Sequence, residues 1–162
     1  MRAVVVETNV IAVANELADQ AGPSCVLACL NALEDARRRV IVLDAGNLCF
    51  DEYFRYASRS GQPKTGDAFG RWLWENQHTS KCERVAITPK VTDAQYDFLE
   101  YPEDPELADF DPADRKFVAI AKASSHQPTV INAADTDWWN HRCSLARNGI
   151  IVEFICPELM VR

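Results

Sequence analysis

Short runs of consecutive apolar residues alternate along this chain with longer segments in which apolar residues recur every three or four positions. The runs are typical of strands buried on both faces, and the wider spacing is typical of helices that pack one side against a sheet. The runs predict strands at Ala3–Val6, Val40–Leu43, Thr129–Asn132 and Ile150–Ile155, and a further, ambiguous short strand at Arg84–Ile87. The spacing and its capping residues predict helices from Thr8 or Asn9 to Leu17, from Pro23 to Arg37–Arg39, from Asp44 to about Ser58, and at Gly66–Gln77, Thr92–Leu99, Pro112–Ser124 and Asp135–Asn148. Repeated strand–helix units predict an α/β fold: a three-layer α/β/α sandwich with a mostly parallel central sheet.

The composition indicates one globular domain over residues 1–162. Hydrophobic residues make up 48% and charged residues 25% of the chain, which is ordinary for a folded domain of a size that buries its own core. No apolar run approaches the roughly 20 residues that a membrane span needs. The N-terminal segment, interrupted by Glu7 and Asn9, is too short for a signal peptide. We therefore expect a cytoplasmic protein with no membrane partner.

The six cysteines contain no CxxC pair, so a zinc site is only weakly indicated. Cys25 and Cys29 are four residues apart on a predicted helix and share a face if that helix forms. Because cysteine often serves as a small core residue, we expect buried, reduced thiols.

The net charge is −7 and the isoelectric point is near 4.9. This charge excludes nucleic-acid binding through a basic surface alone. It does not exclude nucleic acid altogether, since carboxylates loaded with divalent cations present positive charge to a phosphate.

Acidic residues recur where the predicted strands end. Glu7 and Asp44 follow the first two strands, Asp135 and Asp137 follow the strand at Thr129–Asn132, and Glu52 and Asp114 lie in helices that open nearby. Ligands of an open parallel sheet bind beyond the carboxyl ends of its strands. Each acid alone is explained as a helix cap or a solvated residue. Several carboxylates at one edge repel each other, and a divalent cation with oxygen ligands relieves that repulsion.

Four segments carry these acids in a defined order. They are Glu7-Thr8-Asn9-Val10-Ile11, Asp44 with the helix that carries Glu52-Tyr53, Asp111-Pro112-Ala113-Asp114-Arg115-Lys116-Phe117-Val118-Ala119, and Asn132-Ala133-Ala134-Asp135-Thr136-Asp137-Trp138. The ordered set spans nearly the whole chain and resembles the acidic motifs of the PIN-domain (PIN-like) nuclease family, toxin-type bacterial members among them. One position departs from that pattern, because the family's first acid is usually aspartate and here it is Glu7. Its carboxylate sits one methylene, about 1.5 Å, farther out, which is expected to alter metal preference or weaken activity, since Mg²⁺ demands near-ideal octahedral geometry.

The resemblance implies a Mg²⁺- or Mn²⁺-dependent endoribonuclease that hydrolyses RNA phosphodiester bonds. It implies the catalytic acids Glu7, Glu52, Asp114 and Asp135, the metal ligands Glu7, Asp114, Asp135 and Asp137, and Asn9 as a candidate substrate contact. RNA is then the substrate, and an antitoxin protein and a second copy of the chain in a homodimer are candidate partners. The competing interpretation is a catalytically weak PIN-like binding module whose acidic site has degenerated, with Glu7 as its mark.

Overall fold

The computed structural model describes residues 2–90 and 97–160 of the chain. These residues form a five-stranded sheet in the order β3-β2-β1-β4-β5, with every neighbouring pair parallel. The strands are β1 (Ala3–Val6), β2 (Val40–Asp44), β3 (Cys82–Val85), β4 (Thr129–Asn132) and β5 (Ile151–Phe154). The predicted α/β class with a parallel central sheet is confirmed. The ambiguous fifth strand exists and lies two residues earlier than the sequence pattern placed it.

Helices flank the sheet. They are α1 (Thr8–Ala14), α2 (Pro23–Ala36), α3 (Leu48–Tyr56), α4 (Thr65–Asn76), α5 (Arg115–Ala123), α6 (Thr136–Asn140) and α7 (Arg142–Arg147), with short 3-10 turns at Pro105–Leu107, Pro112–Asp114 and Pro157–Leu159. No helix within the described ranges is long and apolar enough to cross a bilayer.

Several predicted helices have different ends in the structure, and one falls largely outside the described residues. The helix predicted from Asp44 to about Ser58 spans Leu48–Tyr56. α1 stops at Ala14 rather than Leu17 because Glu16 adopts a left-handed backbone conformation with φ of 60°. The single helix predicted over Asp135–Asn148 is divided at His141, where the Arg142 side chain donates to the Trp139 carbonyl and satisfies the end of α6. Most of the helix predicted at Thr92–Leu99 lies outside the described residues, and Phe98 forms an antiparallel bridge with Pro89.

The core lies on both faces of β1, the central strand, which is buried over its whole length. Large side chains with almost no exposed surface surround it, namely Trp138, Tyr53, Phe50, Phe69, Phe110 and Phe117. The Tyr53 hydroxyl donates to the carbonyl of Val6, the last residue of β1. A buried phenol needs such a partner, so this bond fixes α3 to the end of the central strand.

The prediction of reduced thiols throughout is wrong for two cysteines. Cys25 and Cys156 form a disulfide across 131 residues of sequence, while Cys29, Cys49, Cys82 and Cys143 are free. Spacing along the chain gives no sign of this pair, because it depends on the end of β5 meeting α2. The predicted shared face of Cys25 and Cys29 is confirmed, since both are buried and their sulfur atoms lie within 4.8 Å of each other.

Candidate active site

Glu7 occupies the turn that leads from β1 into α1. Its backbone N–H donates to the carbonyl of Ile131, which continues the pairing of β1 with β4. Its carboxylate accepts the N–H of Asn9 at 3.1 Å and caps α1. The predicted caps, Thr8 and Asn9, are therefore wrong. Glu7 is only 4% exposed, so the fold buries a carboxylate at the tip of its central strand.

α3 brings Glu52 to the same edge. The Thr8 hydroxyl donates to Glu52 Oε2 at 2.8 Å, and the Lys116 ammonium lies 2.9 Å from the same oxygen. The Lys116 and Glu52 side chains are 12% and 18% exposed, so this ion pair is largely shielded from solvent. Glu52 is thus held between the start of α1 and the start of α5.

Asp114 and Asp135 complete the predicted set of catalytic acids. Asp114 ends the 3-10 turn before α5, and its Oδ2 accepts the indole N–H of Trp138 at 3.3 Å. Asp135 caps α6 by accepting the N–H of Asp137 at 2.8 Å. Its own N–H donates to Asn132 Oδ1 at 3.0 Å, which ties it to the end of β4.

Asn9 joins the ends of β1 and β4. Its amide nitrogen donates to Asn132 Oδ1 at 3.2 Å, and its amide oxygen accepts the N–H of Ala133 at 3.0 Å. One N–H of the Asn9 amide and its oxygen are therefore already in use, which leaves one N–H for the predicted substrate contact. The amide nitrogen of Asn132 is buried beside this junction and has no partner among the described residues.

Two other acids near the strand ends have evident structural partners. Asp137, predicted as a metal ligand, accepts the N–H of Asp111 at 2.9 Å, and its other oxygen lies 3.3 Å from His141 Nδ1. It therefore positions the loop that carries Asp114. Asp44 accepts the N–H groups of Leu48 and Cys49 at 2.8 and 2.9 Å, so its predicted role as a helix cap is confirmed.

Burial and mutual repulsion raise the pKa values of the clustered acids. Burial raises the pKa of Glu7 well above its usual value, and the charges of Asp114, Glu52 and Asp135 raise it further, against the N–H of Asn9, which lowers it. Burial, with Asp135, Asp111 and Glu52, raises the pKa of Asp114 to about 7, although Lys116 lowers it. Burial also raises the pKa of Asp135. Glu52, Asp114 and Asp135 therefore all lie close enough to Glu7 for their charges to act on it. Their role as catalytic acids stays a prediction.

The donor set suits a hard divalent cation. All four groups offer carboxylate oxygens, the ligands that Mg²⁺ and Mn²⁺ prefer. In the described parts of the chain, however, no three of these carboxylates place oxygen atoms within 4.8 Å of one another. Direct ligation by one or two carboxylates, with water completing the shell, matches this spacing and is the usual manner of binding Mg²⁺.

Sequence reasoning missed two contributors to this site. Lys116 is quoted within a motif but carries no pattern that assigns it to Glu52, because the two residues are 64 positions apart in sequence. Asn132 ends a strand, where asparagine reads as a turn residue. A weak signal for Lys116 was available, since it lies two residues after Asp114 at the opening of a helix.

Open cavities flank the cluster on two sides. One of about 610 Å³ is bordered by Asn9, Asp135 and the C-terminal residues Glu158–Met160. A smaller one of about 150 Å³ is bordered by Glu52, Arg55 and Lys116. Of the four acids, Asp135 therefore borders the larger cavity and Glu52 the smaller one.

Comparison with protein-family models, with curated proteins and with solved structures finds no significant match for this chain. The class that fold and site define is an α/β protein with a buried carboxylate cluster at the carboxyl edge of a parallel sheet. Any narrower assignment is a proposal.

Proposed function

We propose that this protein is a Mg²⁺- or Mn²⁺-dependent endoribonuclease of PIN-like type. The observation that carries the proposal is the convergence of Glu7, Glu52, Asp114 and Asp135 from four separate segments on one partly buried site. Burial and neighbouring negative charges raise the pKa values of Glu7, Asp114 and Asp135, and such buried carboxylates are costly for folding without a counter-charge. A functional site explains why the chain keeps them.

The proposed roles follow from position. Glu7 and Asp114, the most buried of the four, are the direct metal ligands, and Glu52 and Asp135 bind through water. A bound Mg²⁺ or Mn²⁺ supplies an activated water and neutralises the phosphate. Lys116, held by Glu52 and by the Ala113 carbonyl beside the smaller cavity, can offer its remaining N–H group to a phosphate oxygen.

RNA as the substrate and an antitoxin protein or a homodimer as partners rest on the resemblance of the acidic motifs, and the cytoplasm as the location rests on the expected lack of a signal peptide and of a membrane span. The net charge of −7 means that an inhibitory partner would approach with a basic or apolar segment.

A second candidate function is a binding module without catalysis. The ion pair of Lys116 with Glu52 favours it, because an internal ammonium partly fills the electrostatic role of a metal. The family that the motifs resemble usually has aspartate at the position of Glu7, and this difference also favours a binding module.

The first prediction separates these functions. Asp114→Asn and Asp135→Asn each should reduce metal-dependent cleavage of a fluorescent single-stranded RNA by at least about a hundredfold, the scale of losing one charged catalytic interaction. Asparagine still accepts the Trp138 indole N–H at position 114 and still caps a helix at position 135, so the fold should persist. The measurement is single-turnover cleavage in Mg²⁺, in Mn²⁺ and in EDTA.

Glu34→Gln is the matched control, because it removes one exposed carboxylate on α2. It should cleave like the wild type. Cleavage that survives both aspartate substitutions would place the activity elsewhere. A wild type that binds RNA and Mn²⁺ without cutting in either metal would favour the binding module.

A further inference from the structure

Three buried cysteines from two distant parts of the chain meet beneath α2. Cys25 and Cys29 lie one helical turn apart on α2, and Cys156 follows β5. Each is at most 1% exposed, and their sulfur atoms all lie within 4.8 Å of one another. In the described ranges, this is the one group of three histidine, cysteine or acidic ligand atoms that is so closely gathered.

Backbone structure places these sulfur atoms independently of the disulfide. α2 orients Cys25 and Cys29 toward the core, and the Cys156 N–H donates to the Ala133 carbonyl at 2.9 Å. The preceding residue, Ile155, donates to Asn132 at 2.8 Å. A helix and an extension of the sheet therefore hold the cluster through backbone hydrogen bonds that do not involve the covalent bond.

We propose that, once the Cys25–Cys156 disulfide is reduced, Cys25, Cys29 and Cys156 bind one Zn²⁺ ion. The Cys-x3-Cys spacing on α2 falls within the range of structural zinc sites. Zn–S bonds of about 2.3 Å in a tetrahedral site place the sulfur atoms about 3.8 Å apart, which these side chains reach by small rotations. Thiolates select Zn²⁺ over Mg²⁺, so this site is chemically distinct from the carboxylate cluster.

Glu158 is the candidate for the fourth ligand. It comes two residues after Cys156, in the 3-10 turn Pro157–Leu159. It is exposed and borders the larger cavity, so it can turn toward a cation without unpacking the core. Water can fill the position in its absence.

The disulfide and the zinc site exclude each other, because they use the same two sulfur atoms. A dithiol transfers two electrons and two protons to the Cys25–Cys156 bond, giving two thiols and the oxidised cyclic dithiol. Zn²⁺ then replaces the protons of the three thiols, which pass to solvent. Both the disulfide and the zinc site anchor Cys156, the residue that precedes the turn whose residues Glu158, Leu159 and Met160 line the cavity beside Asp135.

The test uses Co²⁺ as a spectroscopic probe on the full-length protein, reduced by a dithiol and desalted without oxygen. We expect one equivalent of Co²⁺ to give a thiolate-to-metal charge-transfer band that one equivalent of Zn²⁺ abolishes. Carboxylates give no such band, so the acidic cluster does not interfere. Oxidised protein should give no band.

Cys29→Ala keeps the disulfide pair and should lose the band after reduction. Cys143→Ala removes an exposed free thiol outside the cluster and should keep it. Circular dichroism reports whether the reduced proteins are folded. If they unfold without metal, Zn²⁺ should refold wild type and Cys143→Ala but leave Cys29→Ala unfolded.

Two results would overturn the zinc site. One is a reduced, folded wild type without the band. The other is a Cys29→Ala protein that matches wild type in its band or in its refolding by Zn²⁺. In both cases the cluster is a disulfide with a spare thiol beside it.

Discussion

Glu7 combines three functions, one through its backbone and two through its side chain. It continues the backbone pairing of β1 with β4, caps α1 through Asn9, and presents a carboxylate to Glu52, Asp114 and Asp135. The extra methylene of glutamate allows the carboxylate to reach back to the N–H of Asn9 and still border the other acids. The length of this side chain also determines where its carboxylate oxygens, the possible metal ligands, lie at the end of β1.

The second prediction concerns that length. Glu7→Asp should narrow the difference between Mn²⁺- and Mg²⁺-supported cleavage, because Mg²⁺ tolerates a displaced ligand least. Aspartate also caps a helix well, so the start of α1 should remain intact. The measurement is single-turnover cleavage of one RNA by both proteins in each metal, at matched stability. Lower activity in both metals would show that glutamate is the better ligand here and would end the geometric argument.

Lys116 is the residue whose charge opposes that of the acids. Its ammonium lies 2.9 Å from Glu52 and lowers the pKa of Asp114. A bound divalent cation must therefore share the site with a positive charge that is largely shielded from water.

The third prediction follows from this competition. Lys116→Met should tighten Mn²⁺ binding by about tenfold, corresponding to about 1.4 kcal/mol of removed repulsion, while RNA cleavage falls if the ammonium contacts the phosphate. Isothermal titration with Mn²⁺ measures the affinity. Lys81→Met, which removes an exposed charge next to β3, should leave it unchanged. Weaker Mn²⁺ binding by Lys116→Met would show that Lys116 orders the ligands rather than competing with the metal.

At the scale of elements, carboxylates connect strand ends to the helices that follow them. Asp44 ends β2 and caps α3 through Leu48 and Cys49, and Asp135 follows β4 and caps α6. Capping and clustering are therefore not alternatives, since Asp135 does both. Asp44, with both oxygens committed to backbone N–H groups, acts as a cap.

The fourth prediction uses that contrast. Asp44→Ala should lower the free energy of unfolding by roughly 2–3 kcal/mol, because it strips two buried N–H groups of a charged acceptor. Urea denaturation measures the loss. Asp44→Asn retains one good acceptor and should lose less. Stability equal to wild type in the alanine variant would mean that water replaces the cap, despite an exposure of 1% at this residue.

At the scale of the whole molecule, the sheet order brings β1 and β4 side by side, and their ends carry Glu7 and Asp135. α3 adds Glu52 to the same site, and the 3-10 turn before α5 adds Asp114. The fold therefore concentrates carboxylates, and Glu7, Asp114 and Asp135 hold their protons more tightly than in the unfolded chain.

The fifth prediction is the resulting dependence of stability on pH. Folding raises the pKa values of Glu7, Asp114 and Asp135, so the folded state binds more protons than the unfolded state above the unfolded values near 4. This stabilisation is complete at lower pH and is lost as the pH rises through the folded values, about 7 for Asp114. For Asp114 the loss of stability should be on the order of 2 kcal/mol. This is about half of the free energy to which its whole pKa shift corresponds, because the coupled carboxylates share that shift.

The measurement is urea denaturation in EDTA from pH 4 to pH 8, for wild type and Asp114→Asn. The difference between the two curves isolates Asp114 from other carboxyls, and wild type should lose more stability across the range. Asp19→Asn, an exposed control, should run parallel to wild type. Parallel curves for Asp114→Asn would show that this carboxyl titrates normally.

Much of the fold could be predicted from local pattern. Strands such as Ala3–Val6 and Val40–Asp44 carry runs of apolar residues because both faces of the strand are buried, and these runs predict them. The strand Thr129–Asn132 has the ends that the sequence predicted. The ends of α1 and α6 could not be predicted, because they depend on a left-handed residue at Glu16 and on the Arg142 side chain reaching a carbonyl. At each of these helix ends, several backbone conformations have similar local energies, and tertiary contacts determine which one is adopted.

The sequence by itself determined the alternation of strands and helices, the parallel sheet and the position of acids at its carboxyl edge. Hydrophobic periodicity depends only on residues that are close together in the chain. The same is true of the position of an acid directly after a strand, which places it where parallel sheets bind ligands. Only the tertiary structure decided that Lys116 pairs with Glu52, that Asp137 binds the Asp111 backbone, and that Cys156 bonds to Cys25. Each of these contacts joins residues at least 26 positions apart. Which residue becomes the partner depends on how the folded chain buries the two side chains and brings them together, and no pattern of neighbouring residues specifies this.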